Sequence, residues 1–286
     1  MDAAILVPVR GRRSSSARDA GDARRHPLTS YDDVGDAAGT PVLYFHGGGD
    51  SRLSRHPDDS IAESIGVRVI AVDRCRLVDP RRTLLSWGRD VGLLADDLGL
   101  REFSVLGWSA GGPHALAAAA ANPGRVRHVA VVAGMPPPQG LRAMPRDVRA
   151  AVRLARINAR LAGPSLARWG RQPVPPTGSE ECDRAYTEGR VESFREGPLW
   201  LALELAILGR PWGFDLAQVR TPVTLWYGER DVVTPPSIGR DFEQALPAAT
   251  LRIVDDTHQL LFSRWETILK DLKTHALAER AARIFT

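Results

Sequence analysis

The chain has 286 residues, a net charge of +4, 43% hydrophobic and 25% charged residues. That ordinary globular balance excludes a disordered or fibrous protein and suffices for one α/β domain of large size. Of its 38 basic residues only Lys270 and Lys273 are lysines. A phosphate-binding Gly-Lys-Ser/Thr loop is thereby excluded, and a Schiff-base lysine could come only from the last helix.

Acids are interspersed among the arginines, so no nucleic-acid partner is expected. Cys75 and Cys182 lie far apart, outside any CxxC or Cys/His cluster. They imply neither a metal site nor a disulfide framework, and a cytoplasmic setting is expected. No apolar run reaches the ~18 residues of a membrane span, and no membrane partner is expected. The short run Ile5–Val9 follows an acid, with its arginines on the wrong side for a secretory signal.

In chain order, residues 1–26 are expected to form a mobile, Arg/Ser/Asp-rich extension. Short apolar runs then end at Gly or Asp: Val42–Phe45, Val67–Val72, Phe103–Leu106, Val129–Ala133, Val223–Tyr227 and Thr250–Val254. Continuous apolar runs of this kind suit strands buried on both faces of a parallel sheet. Helical patterns lie between them at about 90–99, 109–121, 236–246 and 263–282, which predicts βαβ units. The alternation breaks between Met135 and Arg220, a stretch opening on Pro136-Pro137-Pro138, so an inserted group of helices is expected there.

The chemistry sits at the ends of these strands. Gly107-Trp108-Ser109-Ala110-Gly111 follows a strand and opens an Ala-rich helix, the G-x-S-x-G turn in the context it requires. A serine is a weak nucleophile without a base, and the base needs an orienting acid. Asp231 follows the Val223–Tyr227 strand and His258 follows the Thr250–Val254 strand, in the order Ser, Asp, His. His46-Gly47-Gly48-Gly49 ends an earlier strand. Its backbone N–H groups, with that of Ala110, are candidates for an oxyanion hole, Gly48 and Ala110 being the two donors.

These residues resemble the α/β-hydrolase superfamily, in particular small soluble serine hydrolases with a helical cap. The resemblance runs from about Leu28 to the last helix. It rests on Gly39–Gly47, Ser51-Arg52-Leu53, Gly66–Arg74, Leu106–Pro113, Arg210–Phe214 and Tyr227–Asp231. It implies a doubly wound, mostly parallel sheet, with a core of residues 27–134 and 213–286 and a cap at 135–212. It also implies Ser109 as nucleophile, His258 as base, Asp231 as orienting acid, and no cofactor or metal. Two departures stand out. Gly48-Gly49-Asp50 replaces the usual x-Pro-Gly and puts an acid near the oxyanion hole. Cys75-Arg76-Leu77-Val78-Asp79 replaces a Gly-rich loop after Arg74.

The expected reaction is hydrolysis of a small or medium carboxylic ester, or an amide, through an acyl-enzyme. Two alternatives stand beside it: C–C bond hydrolysis or lyase chemistry on the same triad, and a non-catalytic ligand-binding protein. Trp108, Trp200 and Leu203 are candidate pocket residues, Trp108 being equally suited to core packing. Leu199, Leu205, Ile207 and Leu208 are expected on the inner side of the cap. His46 is expected to shape its loop through hydrogen bonds and His114 to pack. Arg146, Arg149, Arg153, Arg156 and Arg160 recur at helical spacing, either as a solvated face or as an attractor of an anion.

Overall fold

The computed structural model describes residues 30–74 and 82–284. The proposed N-terminal extension and the Cys75–Asp79 replacement lie outside the described residues. Seven strands form one sheet: β1 (Tyr31–Gly35), β2 (Thr40–Phe45), β3 (Val67–Val72), β4 (Phe103–Trp108), β5 (Val126–Val132), β6 (Val223–Gly228) and β7 (Ala249–Val254). Their order is β1-β3-β2-β4-β5-β6-β7. Only β1 is antiparallel, pairing Tyr31 with Val72 and Gly35 with Arg68.

Parallel neighbours need crossover connections, and helices supply them. These are α1 (Asp59–Ile65), α2 (Leu84–Asp97), α3 (Gly111–Ala121) and α8 (Pro236–Ala245), while α9 (Leu260–Ser263) and α10 (Trp265–Ile284) close the chain. The chain steps from β2 out to β3 and returns to β4 on the other side. The crevice beyond the C-terminal ends of β2 and β4 is therefore the switch point of the sheet, where open α/β sheets bind ligands.

The central strands alternate between two cores. Leu43, Phe45, Val105, Val129 and Val131 face one layer, with α2, α3 and α8. Val42, Tyr44, Leu106, Ala130 and Val132 face the other, with Trp265, Ile268, Leu269 and Leu272 of α10. All four α10 side chains are buried, worth about 1.5–3 kcal/mol each for the aliphatic ones.

The expected strands are present, with bounds shifted by up to three residues. β1 and α1 were not expected. β1 carries Asp32 and Asp33 and has little apolar signal. It holds its edge place through ion pairs of Asp32 with Arg52 and Asp33 with Arg68. The seven residues of α1 are too short to show a period, although Asp58 accepts from the Ser60 N–H as its N-cap.

Between β5 and β6 come two 3-10 turns (Pro138–Ala143 and Leu216–Gln218) and, between those turns, four helices: α4 (Arg146–Ile157), α5 (Ala159–Gly170), α6 (Glu180–Phe194) and α7 (Leu199–Leu208). Val152, Ala155, Ala162, Leu166, Leu205 and Leu208 join the same core cluster as α2 and α3. The insertion is thus packed onto the sheet domain and not tethered to it.

Candidate active site

Ser109 sits at the tip of the turn between β4 and α3 with φ +53°. A non-glycine residue in that region costs of order 1–3 kcal/mol and persists only where its surroundings impose it. Here they do. The Ser109 N–H donates to the Val132 carbonyl at 2.8 Å, and the Ser109 carbonyl accepts from the Met135 N–H at 3.0 Å. The two flanking glycines are required by close approach. A Cβ on Gly107 would lie 2.2 Å from the Gly111 carbonyl oxygen, and one on Gly111 would lie 2.1 Å from that of Phe45.

His258 follows β7 and reaches Ser109, its Nε2 lying 3.0 Å from the Ser109 Oγ. Its Nδ1 lies 2.8 Å from Asp231 Oδ2. Asp231 Oδ1 accepts from the backbone N–H groups of Val233 and Thr234 at 2.7 and 2.8 Å. Burial alone would push the Asp231 carboxyl up, but hydrogen bonds from His258 and Thr234 outweigh it and hold the group below its ordinary value. Asp231 is therefore ionised at neutral pH, which makes His258 Nδ1 the donor in their hydrogen bond and turns Nε2 toward the serine.

The oxyanion candidates also converge. Gly48 and Ala110 face one another, since a Cβ on Gly48 would lie 3.3 Å from that of Ala110. Neither backbone N–H has a hydrogen-bond acceptor among the described residues.

A family model described as the alpha/beta hydrolase fold matches residues 83–264. The chain belongs to the α/β-hydrolase family. Among solved structures it is similar to the esterase RhEst1 from Rhodococcus sp. ECU1013, at 23% identity and TM-score 0.62, over 85% of this chain and 94% of that one. It is similar to a thermophilic esterase from Thermogutta terrifontis at 20% identity and TM-score 0.64, over 90% and 94%. A crystal structure from a study of Nitrososphaera gargenis carboxylesterases matches at 18% identity and TM-score 0.66, over 88% and 95%. No curated protein matches the chain by sequence. Identities this low speak for the shared fold.

In this α/β hydrolase the glycine turn after β2 is held by buried side chains. His46 is buried, with Nδ1 2.8 Å from the Gly47 carbonyl, and its Nε2 accepts from the Arg74 N–H at 3.3 Å. Burial and the nearby Arg74 keep His46 neutral. It shapes the loop, as expected. The Arg74 guanidinium binds the carbonyls of His46 and Gly47 and pairs with Glu204 of α7. His114 donates from Nδ1 to the Ala110 carbonyl at 2.8 Å and packs edge-on against Trp87. It too is held neutral, by burial first and then by Arg74.

Asp50 is buried at the end of the same turn. Its Oδ1 accepts from Nε of Arg190 on α6 at 3.2 Å. The guanidinium lies 3.9 Å from the Trp169 ring centre and donates to the Tyr186 hydroxyl. Burial pushes the Asp50 carboxyl up to about 6, Arg190 pulling the other way.

The three expected pocket residues differ in burial and in partners. Trp108 is 1% exposed and lies under His258, its Nε1 donating to the His258 carbonyl at 3.0 Å while its ring packs on Tyr186 and Phe262. It supports His258 by packing. Trp200 donates to the Ser193 carbonyl and is partly exposed, with its ring near His46. Leu203 is half-buried. Leu199 faces solvent, because α7 turns it outward. The residues over the glycine turn are instead Leu201 and Trp169, which a Cβ on Gly49 would meet at 3.3 and 2.4 Å.

Three contributors were missed in the sequence. Thr234 places its hydroxyl 2.8 Å from Asp231 Oδ2 and 3.1 Å from His258 Nδ1, and the Asp-x-x-Thr spacing was its signal. Glu204 had one as well, being the lone acid in the apolar run Leu199–Leu208. Arg190 had none, since α6 is charged throughout.

Proposed function

We propose that this protein is a serine hydrolase cleaving a small or medium carboxylic ester through a Ser109–His258–Asp231 triad, with the inserted helices as its cap. The observation that carries this reading is the unbroken hydrogen-bonded chain from Ser109 Oγ through His258 to the ionised Asp231, ending on a strained serine.

In this mechanism the Ser109 Oγ attacks the ester carbonyl carbon as its proton passes to His258 Nε2. Asp231 holds the imidazolium that forms. The carbonyl oxygen becomes an oxyanion bound by the N–H groups of Gly48 and Ala110, an interaction of the kind worth about 3–4 kcal/mol per donor. Collapse expels the alkoxide, which takes the proton from Nε2. Water, deprotonated by the same nitrogen, then releases the acid from the acyl-enzyme. Arg74, by ordering the His46 and Gly47 carbonyls, keeps the turn's N–H groups directed inward.

Intact-mass labelling with a serine-reactive fluorophosphonate tests this. One adduct on the wild type, absent from Ser109→Ala and at least about a hundredfold slower in His258→Ala, is expected. No adduct on the native protein would overturn the hydrolase reading in favour of a ligand-binding role. A labelled protein that cleaves carbon acids flanked by carbonyls but no ester would move the reading to C–C hydrolysis on the same triad.

A further inference from the structure

Eight arginines and a single acid, Asp147, fall between Leu141 and Arg171, a local charge of +7 in a chain whose total is +4. Arg142, Arg146, Arg153, Arg156, Arg160 and Arg168 are exposed, and among the described residues none of these six forms an ion pair. The same stretch holds exposed aliphatic side chains: Ile157 is 77% exposed, Leu161 57% and Leu154 38%.

The helical periods place these features together. In α4 the buried positions are Val152 and Ala155. Arg146, Arg153 and Ile157 fall on the opposite face, with Arg149 and Arg156 on one flank and Leu154 on the other. In α5 the buried positions are Ala162 and Leu166, so Leu161 and Arg168 share an outer flank. Asn158 both ends α4 and caps α5, bringing Ile157 and Leu161 to one corner. The outside of this helical pair is a cationic surface with an aliphatic corner.

Its inner side meets the candidate active site, since Trp169 of α5 lies against the Gly49 turn and Arg190. A second copy of the chain does not suit the outer side, because a two-fold interface would set like charges face to face. A nucleic acid would leave Ile157 and Leu161 without apolar partners, and no exposed aromatic ring stands on this face to stack on bases. Aliphatic side chains ringed by arginines match the boundary of an anionic bilayer, where side chains enter the acyl region and guanidinium groups pair with phosphates.

We propose that the outer face of α4 and α5 docks on an anionic phospholipid surface. This departs from the expectation of no membrane partner, which rested on the lack of a spanning run. The described helices indeed include none long and apolar enough to cross a membrane. Docking in the plane of the interface needs no such helix.

The test is co-sedimentation of the full chain with vesicles of phosphatidylcholine alone, or of phosphatidylcholine and phosphatidylglycerol in equal parts. At low salt the mixed vesicles should bind at least about tenfold more tightly, and added salt should weaken binding. Arg153→Glu/Arg156→Glu should lower partitioning by about 30-fold or more, taking about fivefold per lost arginine. Ile157→Asp/Leu161→Asp should lower it at least about tenfold. All four side chains are exposed, and circular dichroism verifies each fold; Arg146→Gln/Arg160→Gln is the milder charge variant, expected to lose about 30-fold. Absence of binding to mixed vesicles, or binding that neither charge reversal nor the aspartates reduce, overturns the proposal. So does a protein that binds duplex DNA through the same arginines and ignores vesicles, or one whose surface proves buried in a dimer that Ile157→Asp dissociates.

Discussion

Arg190 and Asp50 meet across the boundary between the inserted helices and the sheet domain, Nε donating to Oδ1 at 3.2 Å. Both are at least 95% buried. The acid lies beside the turn that carries the Gly48 N–H, where an uncompensated negative charge would oppose an oxyanion. The arginine that neutralises it comes from α6, so the electrostatics of the site depend on how the inserted helices sit.

Removing one partner of a buried ion pair strands the other, at a cost of about 3–5 kcal/mol, whereas removing both is far milder. Arg190→Met is therefore expected to lose about that much stability, and to lower kcat of ester cleavage at least about tenfold. Asp50→Asn/Arg190→Met should recover most of both. Urea unfolding and steady-state kinetics on the four proteins of the cycle check this. Additive losses in the double variant would remove the coupling.

Asp50 also makes stability depend on pH. Its carboxyl titrates near 6 in the fold and near 3.8 when exposed. Between those values the native state holds the proton and the unfolded chain does not, so this group's contribution falls as pH rises through that window. In Asp50→Asn the contribution is absent. The stability of wild type minus that of Asp50→Asn should therefore drop by roughly 2–2.5 kcal/mol between pH 4 and pH 7. Denaturant midpoints at the two pH values measure it, and a constant or rising difference contradicts it.

Asp231 and Thr234 together position His258. Asp231→Asn is expected to lower kcat by about 10³–10⁴-fold, since the amide presents the wrong hydrogen-bonding partner to Nδ1. Thr234→Val should lower kcat by roughly three- to thirtyfold with little change in KM, the worth of one or two hydrogen bonds. A Thr234→Ser variant retaining nearly full activity would separate the hydroxyl from the packing of its methyl group.

Gly107→Ala tests the tightness of the serine turn. Its Cβ would have to sit 2.2 Å from a backbone oxygen, and no flexible side chain can yield there. A loss of about 3 kcal/mol or more is expected, lowering Tm by roughly 6–12 °C, with fluorophosphonate labelling of Ser109 lost. Differential scanning calorimetry and intact mass give the two readouts.

Much of the site was legible because its signals are local. Ser109 stands between required glycines, while Asp231 and His258 each stand four residues past an apolar strand. Their convergence then follows from a parallel sheet, which brings the C-terminal ends of its strands to one edge. The pocket was harder to read. Trp108 adjoins Ser109 in sequence and Trp200 stands in the apolar run of the insertion, yet Trp108 lies beneath His258, and Leu201 and Trp169 cover the glycine turn.

By itself, then, the sequence determined the alternation of strands and helices, the insertion after β5, and the three residues of the candidate triad. Those follow from periodicity and from turn chemistry within a few residues of each strand. Only the tertiary structure decided that Arg190 neutralises Asp50, that Glu204 holds Arg74 on the glycine turn, and that arginines and aliphatics of two helices share one outer face. These pairs are separated by 130 to 140 residues, or depend on which side of a helix is buried. No local pattern encodes that, because burial is a property of what packs on the helix and not of the helix alone.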